Sequence, residues 1–361
     1  MPNSHRHPAT PFQDRPASAV LTIWLLSDDK AGTVNQARGV AERLAELLPQ
    51  APQVSEHIAH ARFPFNRLPA RLWGLFGPTL ALAALIPSLS PPWPDLVIAA
   101  GRSAVAPAAA IRQMSGMQTQ VVALQNPRLP LQAFDLVIAP VHDGLAGANL
   151  LAIDGAPHRI SPARLAEAAS EPPPALKDMR AAATAAGKPF VAVLLGGNSA
   201  RYNFDNATAH RLATDLAKLA ATGVRFALTA SRRTPPEAVE ILQSALAPYP
   251  HFFWDGSGAN PYLALLALAD HLLVTGDSVS MLSEAASTGR PVHRIDLPGQ
   301  PGKFAAFHGR LEALGLVRPF TGNLPDFTPP PFDETGRAAA AVLAVLMKAR
   351  AGAFPPGQKS V

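Results

Sequence analysis

Three short stretches in the second half of the chain carry side chains suited to holding an anion and a sugar. LLGGNS places Gly196, Gly197 and Asn198 directly after an apolar run that reads as a strand. Glycines there let backbone amides approach a phosphate closely. TASRR places Ser231, Arg232 and Arg233 at the end of the next strand, and guanidinium groups match phosphate oxygens. TGDSVSMLSE places Asp277, Ser278, Ser280 and Met281 at the start of a helix, where free amides and the helix dipole favour a phosphate. Ser280 and Glu284 are four residues apart and share a helix face. Glu284 sits about one turn in, where a carboxylate can accept from two ribose hydroxyls. Together these residues describe a donor site for a nucleoside diphosphate. Each also has a plainer reading: a tight strand-to-helix turn for the glycines, a solvated turn for the arginines, a favourable dipole interaction for Glu284.

The first half supplies candidates for the group that activates an acceptor. A general base must stand near the acceptor hydroxyl. Asp28 and Asp29 in SDDKAG and His142 in VHDG lie at strand ends, with Lys30 available to offset phosphate charge. N-capping or turn formation is the plainer role of the aspartates, and loop orientation that of His142. In the segment 61–87, Arg62, Arg67 and Arg71 interleave with aromatics that include Trp73 and Phe76. That mixture suits an anionic membrane interface, or else a buried helix with snorkelling arginines. Residues 72–94 carry no charge, but Pro78, Pro87, Pro91, Pro92 and Pro94 argue against a spanning helix.

Apolar runs of strand length recur between helical stretches: VLTIWLL, DLVIAA, VVAL and DLVIAP in the first half, FVAVLLGG, RFALTASRR, HFFWDG, HLLVTG and PVHRIDL in the second. This pattern predicts α/β architecture with parallel sheets covered on both faces. A length of 361 residues suits two domains. The expected division is a tail at 1–18, an acceptor-side domain at 19–170, a Pro/Ala-rich linker at 171–188 and a nucleotide-sugar-binding domain at 189–325. A crossover helix at 326–350 returning to the first domain and a tail at 351–361 complete it. Two doubly wound domains facing each other would place ligands at strand carboxyl ends.

Composition narrows the chemistry further. There are no cysteines, which excludes disulfides, thiolate metal sites and a cysteine nucleophile. Histidines are scattered, so neither a metal nor a resident cofactor is expected. The dinucleotide, P-loop and nucleophile-elbow motifs are absent. A net charge of +5 fits a polyanionic partner, but basic residues do not interleave with aromatics along a strand face, so nucleic acid is not expected. The short apolar run at 20–26 is followed at once by SDDK, unlike a secretory signal. The expected location is the cytoplasm, with peripheral attachment to the inner membrane.

The stretches SDDKAGTVNQARGVAE, FDLVIAPVHDG, TASRRTP, NPYLALLALAD and TGDSVSMLSEAASTGRPV resemble the family named after a plant mitochondrial-fission factor, over about residues 20–320. The resemblance implies a GT-B-type architecture similar to nucleotide-sugar glycosyltransferases. The turn and helix from Asp277 to Pro291 look like the donor-binding helix of the enzyme that adds N-acetylglucosamine to a lipid-linked peptidoglycan precursor, and Glu284 matches its ribose-binding acid. The expected activity is transfer of a sugar from a nucleoside diphosphate to a membrane-associated, lipid-linked or polysaccharide acceptor. The alternatives are a non-hydride sugar-nucleotide epimerase and a non-catalytic membrane or division adaptor.

Overall fold

The computed structural model describes residues 20–59, 86, 88–300 and 302–352. The tail at 1–18, the residues Arg62, Arg67, Arg71, Trp73 and Phe76, and most of the tail at 351–361 lie outside the described residues. The chain divides into two compact units, Met1–Arg159 with Glu334–Val361, and Ile160–Asp333.

In the first unit β1 (Thr22–Ser27) leads to α1 (Ala31–Leu47) and β2 (Gln53–Ile58). Then come β3 (Leu96–Ala100), α2 (Val105–Met114), β4 (Gln120–Leu124), β5 (Leu136–Pro140) and β6 (Leu150–Ile153). The six strands form one parallel sheet in the order β2-β1-β3-β4-β5-β6. Every residue of β3 and β4 is buried, as expected for strands covered on both faces.

The second unit opens with α3 (Pro162–Ser170) and α4 (Pro174–Ala185), followed by β7 (Phe190–Leu195), α5 (Asn206–Ala221), β8 (Arg225–Ala230), α6 (Pro236–Leu246) and β9 (His251–Trp254). Next are α7 (Tyr262–Leu268), β10 (His271–Thr275), α8 (Val279–Ala286), β11 (Val292–Ile295), α9 (Lys303–Ala313) and β12 (Val317–Pro319). Its parallel sheet runs β12-β11-β10-β7-β8-β9. The first strand of the unit, β7, is central, and the winding direction reverses between β7 and β10. This is the doubly wound order whose switch point forms a ligand crevice. In the first unit the reversal falls between β1 and β3.

After β12 the chain returns to the first unit as α10 (Glu334–Gly352). Ala338, Ala339, Val342 and Leu346 of α10 join Ala37, Val40, Ala41 and Leu44 of α1 in one core cluster. Glu334 Oε2 accepts from Asp154 N at 2.8 Å, and Thr335 Oγ1 accepts from His158 N at 3.0 Å, fixing the start of the helix. The helix begins at Glu334 rather than at 326.

The segment 171–188 corrects the linker expectation. It is mostly α4, with Leu176 and Ala183 fully buried in the core of the second unit. Its Pro/Ala-rich composition conceals an apolar stripe of Leu176, Met179 and Ala183 at helical spacing, and prolines at its first turn suit a helix start. The unit boundary accordingly falls at Arg159–Ile160.

A buried histidine pair makes the second unit acid-sensitive. His271 Nδ1 and His293 Nε2 lie 3.2 Å apart on adjacent strands. Burial, then the neighbouring His271 and Arg318, lowers His293 to about 4, and burial also lowers His271 against the opposing pull of Asp326 and Asp270. The unfolded chain binds protons near pH 6.5 while the native pair does not, so stability is complete above that pH and falls as pH drops toward 4. Urea unfolding at pH 5 should show the second unit roughly 2 kcal/mol less stable than at pH 7.5 from His293 alone. His293→Gln should flatten that dependence; an unchanged slope would refute the assignment.

Candidate functional site

The switch point of the second sheet brings Gly196, Gly197, Asn198, Arg233 and Asp277 together. Gly196 N donates to Thr275 Oγ1 at 2.6 Å, Gly197 N to Asp277 Oδ2 at 3.1 Å, and Asn198 N to the Arg233 carbonyl at 2.9 Å. Thr275 Oγ1 donates to Asp277 Oδ1 at 2.7 Å, and Arg233 Nη2 donates to Asp277 Oδ2 at 2.7 Å. The Asp277 side chain is fully enclosed, whereas that of Arg233 is 45% exposed. A Cβ on Gly196 would stand 2.1 Å from Asp277 Oδ1, and one on Gly197 2.0 Å from the Arg233 carbonyl oxygen. The glycines are therefore required for close packing.

This geometry corrects the expected phosphate cradle. The three amides of the glycine turn are occupied by the chain itself, and Asp277 fills the anion position. Its carboxylate binds Gly197 and Arg233 rather than facing a ligand. Asn198 likewise works within the loop, its Oδ1 accepting from Phe204 N at 2.7 Å. Ser231 accepts from Arg233 N at 3.2 Å and shapes the basic turn. Arg232 is exposed and forms no hydrogen bond or ion pair among the described residues.

At the α8 end of the site the expected residues divide between structural roles and open positions. Ser278 caps the helix, accepting from Met281 N at 3.3 Å, and the Met281 side chain packs against the core. Ser280 is half-buried near the helix start. Glu284 sits further along the helix, and the Tyr262 hydroxyl of α7 donates to its Oε2. Burial raises the Glu284 carboxyl to about 7, with the Tyr262 hydrogen bond opposing that shift. Oε1 has no partner among the described residues and can accept from a ligand hydroxyl. Tyr262 and Thr275 were not legible as site residues. They reach the site from a neighbouring helix and from a strand end, and no spacing within their own segments signals it.

In the first unit Asp28 is buried at the end of β1. It accepts from Thr33 Oγ1 and from Lys30 N, and pairs with Lys30 Nζ at 3.3 Å. A Cβ on Gly101, which has φ +92°, would lie 2.6–2.9 Å from its carboxylate atoms. Asp28 thus ties the start of α1 to the end of β3, the plainer of its two readings. Asp29 is exposed, without a partner among the described residues. His142 lies in the turn Val141–Asp143 after β5. The end of β5 is three strand spacings from that of β1, roughly 14 Å, so the structure does not bring His142 and the aspartates together. Among the described residues no cluster of three or more His, Cys, Asp or Glu could hold a metal, and no helix is long and apolar enough to cross a membrane.

Two doubly wound parallel sheets, each reversing its winding direction at a switch point, define a protein of the GT-B type. Solved structures agree on the fold. A UDP-GlcNAc 2-epimerase from Methanocaldococcus jannaschii, in complex with UDP-GlcNAc and UDP, superposes with a TM-score of 0.51 at 12% identity, covering 91% of this chain and 100% of that one. A Staphylococcus aureus MnaA–UDP co-structure superposes with a TM-score of 0.50 at 12% identity, covering 92% and 91%. The chain belongs to the mitochondrial fission ELM1 family, whose profile matches residues 31–346. It is 32% identical over 276 residues to mitochondrial fission protein ELM1 of Arabidopsis thaliana, covering 69% of this chain and 63% of that protein's length. It is also 27% identical over 354 residues to the uncharacterized protein RP120 of Rickettsia prowazekii, covering 88% of this chain and 97% of that protein.

Proposed function

We propose that the protein binds a nucleoside-diphosphate sugar in its second unit and transfers the sugar to a membrane-associated, lipid-linked or polysaccharide acceptor. The observation that carries this reading is Glu284: a half-buried carboxylate on α8, with one oxygen held by Tyr262 and the other open to a ribose hydroxyl. In this reading the α8 amides and the unpaired Arg232, in the turn after β8, meet the diphosphate. The solved structures of the same fold in complex with UDP-GlcNAc and UDP, or with UDP, support the ligand class. No resident cofactor or metal is called for, because positioning and charge stabilisation at the leaving diphosphate suffice. Asp29, exposed at the end of β1, is the better placed base for an acceptor hydroxyl, since Asp28 is occupied. The patch of Arg62, Arg67, Arg71, Trp73 and Phe76 is proposed to hold the protein peripherally at an anionic membrane of the cytoplasm, where a lipid-linked acceptor resides.

A non-hydride epimerase is the second reading. It is favoured by the engagement of Asp28 with Thr33 and Lys30, which leaves the first unit with one fewer free base. Turnover of a UDP-sugar without acceptor would select it.

A thermal-shift series with UDP, other nucleoside diphosphates and their sugars tests the donor site. A ligand that binds only the native state raises the melting temperature by mass action. Stabilisation by at least one nucleoside diphosphate is expected, reduced in Glu284→Ala while the unliganded fold persists. No shift with any of them at millimolar concentration would overturn the proposal.

A further inference from the structure

The loop at the carboxyl end of β4 carries an unexplained feature. Among the described residues, Met117, Gln125 and Arg128 are the non-glycine residues with left-handed backbone, at φ 67°, 69° and 58°. Met117 follows Gly116 in an exposed turn, but the other two fall within four residues of one another. Such conformations are unfavourable for side-chain-bearing residues and persist where surrounding contacts over-determine them. Those contacts are present. Gln125 N donates to the Ile138 carbonyl at 2.8 Å, and its Nε2 donates to Oε1 of the buried Gln36 at 2.8 Å. Arg128 N donates to Asn126 Oδ1 at 2.9 Å. Pro127 between them is buried.

The arrangement holds Arg128 in the open. Its side chain is exposed and makes no hydrogen bond or ion pair among the described residues. Arg38, Arg112, Arg159, Arg180, Arg294 and Arg337, by contrast, are all ion-paired. The loop also lies at the carboxyl edge of a parallel sheet, where doubly wound proteins bind ligands. Lys30, with its side chain 75% exposed, stands at the end of β1 on the same edge. The strand ends that lead to Lys30 and Arg128 are two spacings apart, roughly 10 Å, and both side chains are long. Among the described residues the acids on this edge are Asp28, already bonded to Thr33 and Lys30, the exposed Asp29, Asp143 at the end of β5, and Asp154 with Glu334 at the end of β6.

We infer that the first unit has a phosphoryl-binding site built on Arg128, with Lys30 as its second cation, for a ligand bearing a phosphate or pyrophosphate. The guanidinium supplies a bidentate fork for two phosphate oxygens, and the ammonium a mobile point charge. The site stands independently of the nucleotide reading of the second unit.

Isothermal titration calorimetry of the full chain with inorganic pyrophosphate, geranyl pyrophosphate and UDP tests it, using wild type, Arg128→Gly and Arg128→Lys. Glycine keeps the left-handed backbone without the charge, so Arg128→Gly should fold with equal or higher melting temperature and bind at least one probe tenfold or more weakly. Arg128→Lys should recover part of that loss. A loss confined to geranyl pyrophosphate identifies a lipid-linked ligand, one shared with inorganic pyrophosphate a bare phosphoryl group, and one confined to UDP a nucleotide; each supports the site. Equal affinities of wild type and Arg128→Gly for all three probes, or no binding of any probe to wild type, would overturn it. Failure of UDP alone to bind wild type would count against the donor site and leave this one standing.

Discussion

Nucleoside-diphosphate affinity should fall about tenfold between pH 8 and pH 6. The ribose hydroxyls are donors, so they favour an ionised Glu284. Burial holds that carboxyl at about 7 in the free protein. At pH 6 about nine molecules in ten then carry it protonated, and binding must first remove that proton. At pH 8 the group is mostly ionised and the cost disappears. The charged and titratable neighbours support this direction. Tyr262 donates to Glu284 and is itself raised well above its ordinary value by burial and by the carboxylate, so it stays neutral across this range. Glu284→Gln should bind weakly at both pH values and abolish the dependence. Tyr262→Phe removes a bond that favours the ionised form and should move the midpoint upward. Titration of UDP at half-unit pH steps would decide the matter. A flat profile in the wild type would remove Glu284 from the ligand contacts.

Gly197→Ala is expected to cost the second unit about 3 kcal/mol or more. The new methyl would stand 2.0 Å from the Arg233 carbonyl oxygen and 2.6 Å from Thr234 N, both backbone atoms with no freedom to swing aside. Relief requires the basic turn to move, which breaks the Asn198–Arg233 backbone bond and loosens Gly197 from Asp277. Overpacking in a well-filled interior costs about 1–3 kcal/mol, and the lost bonds add to it. For a unit of this size that amounts to roughly 6–12 °C in melting temperature. Gly309→Ala provides the contrast. Gly309 is exposed within α9 with nothing within 4 Å of where a Cβ would stand, so alanine there should stabilise by about 0.5–1 kcal/mol through helix propensity. Differential scanning calorimetry of the two variants checks both. Equal melting temperatures would mean that the glycine turn is not a packed junction.

The two glycines were legible as a special turn, and their chemistry was not. Their position after an apolar run announced a strand-end loop, and such loops bind phosphates often enough for that reading to lead. What reverses it is Asp277, eighty residues away, arriving from β10 because the winding direction changes between β7 and β10. Asp28 follows the same logic. Its place in SDDKAG allowed either a base or a turn former, and Gly101, directly after β3, closing over it decides for the second. Glu284 lies on α8 with Ser280, because four-residue spacing along one helix is a local property. Its partner Tyr262 belongs to another helix and was invisible to any such spacing.

By itself the sequence determined the α/β class, the two strand series and the loops that carry the candidate ligands. Those follow from hydrophobic periodicity and turn residues, which act over a few positions. Only the tertiary structure decided the strand order, the boundary at Arg159–Ile160 and the inclusion of α4 in the second unit. It also decided which carboxylates face inward and which remain open. Those outcomes depend on which strand ends become neighbours, and that is set by packing whole sheets between helices, not by the residues adjacent in the chain.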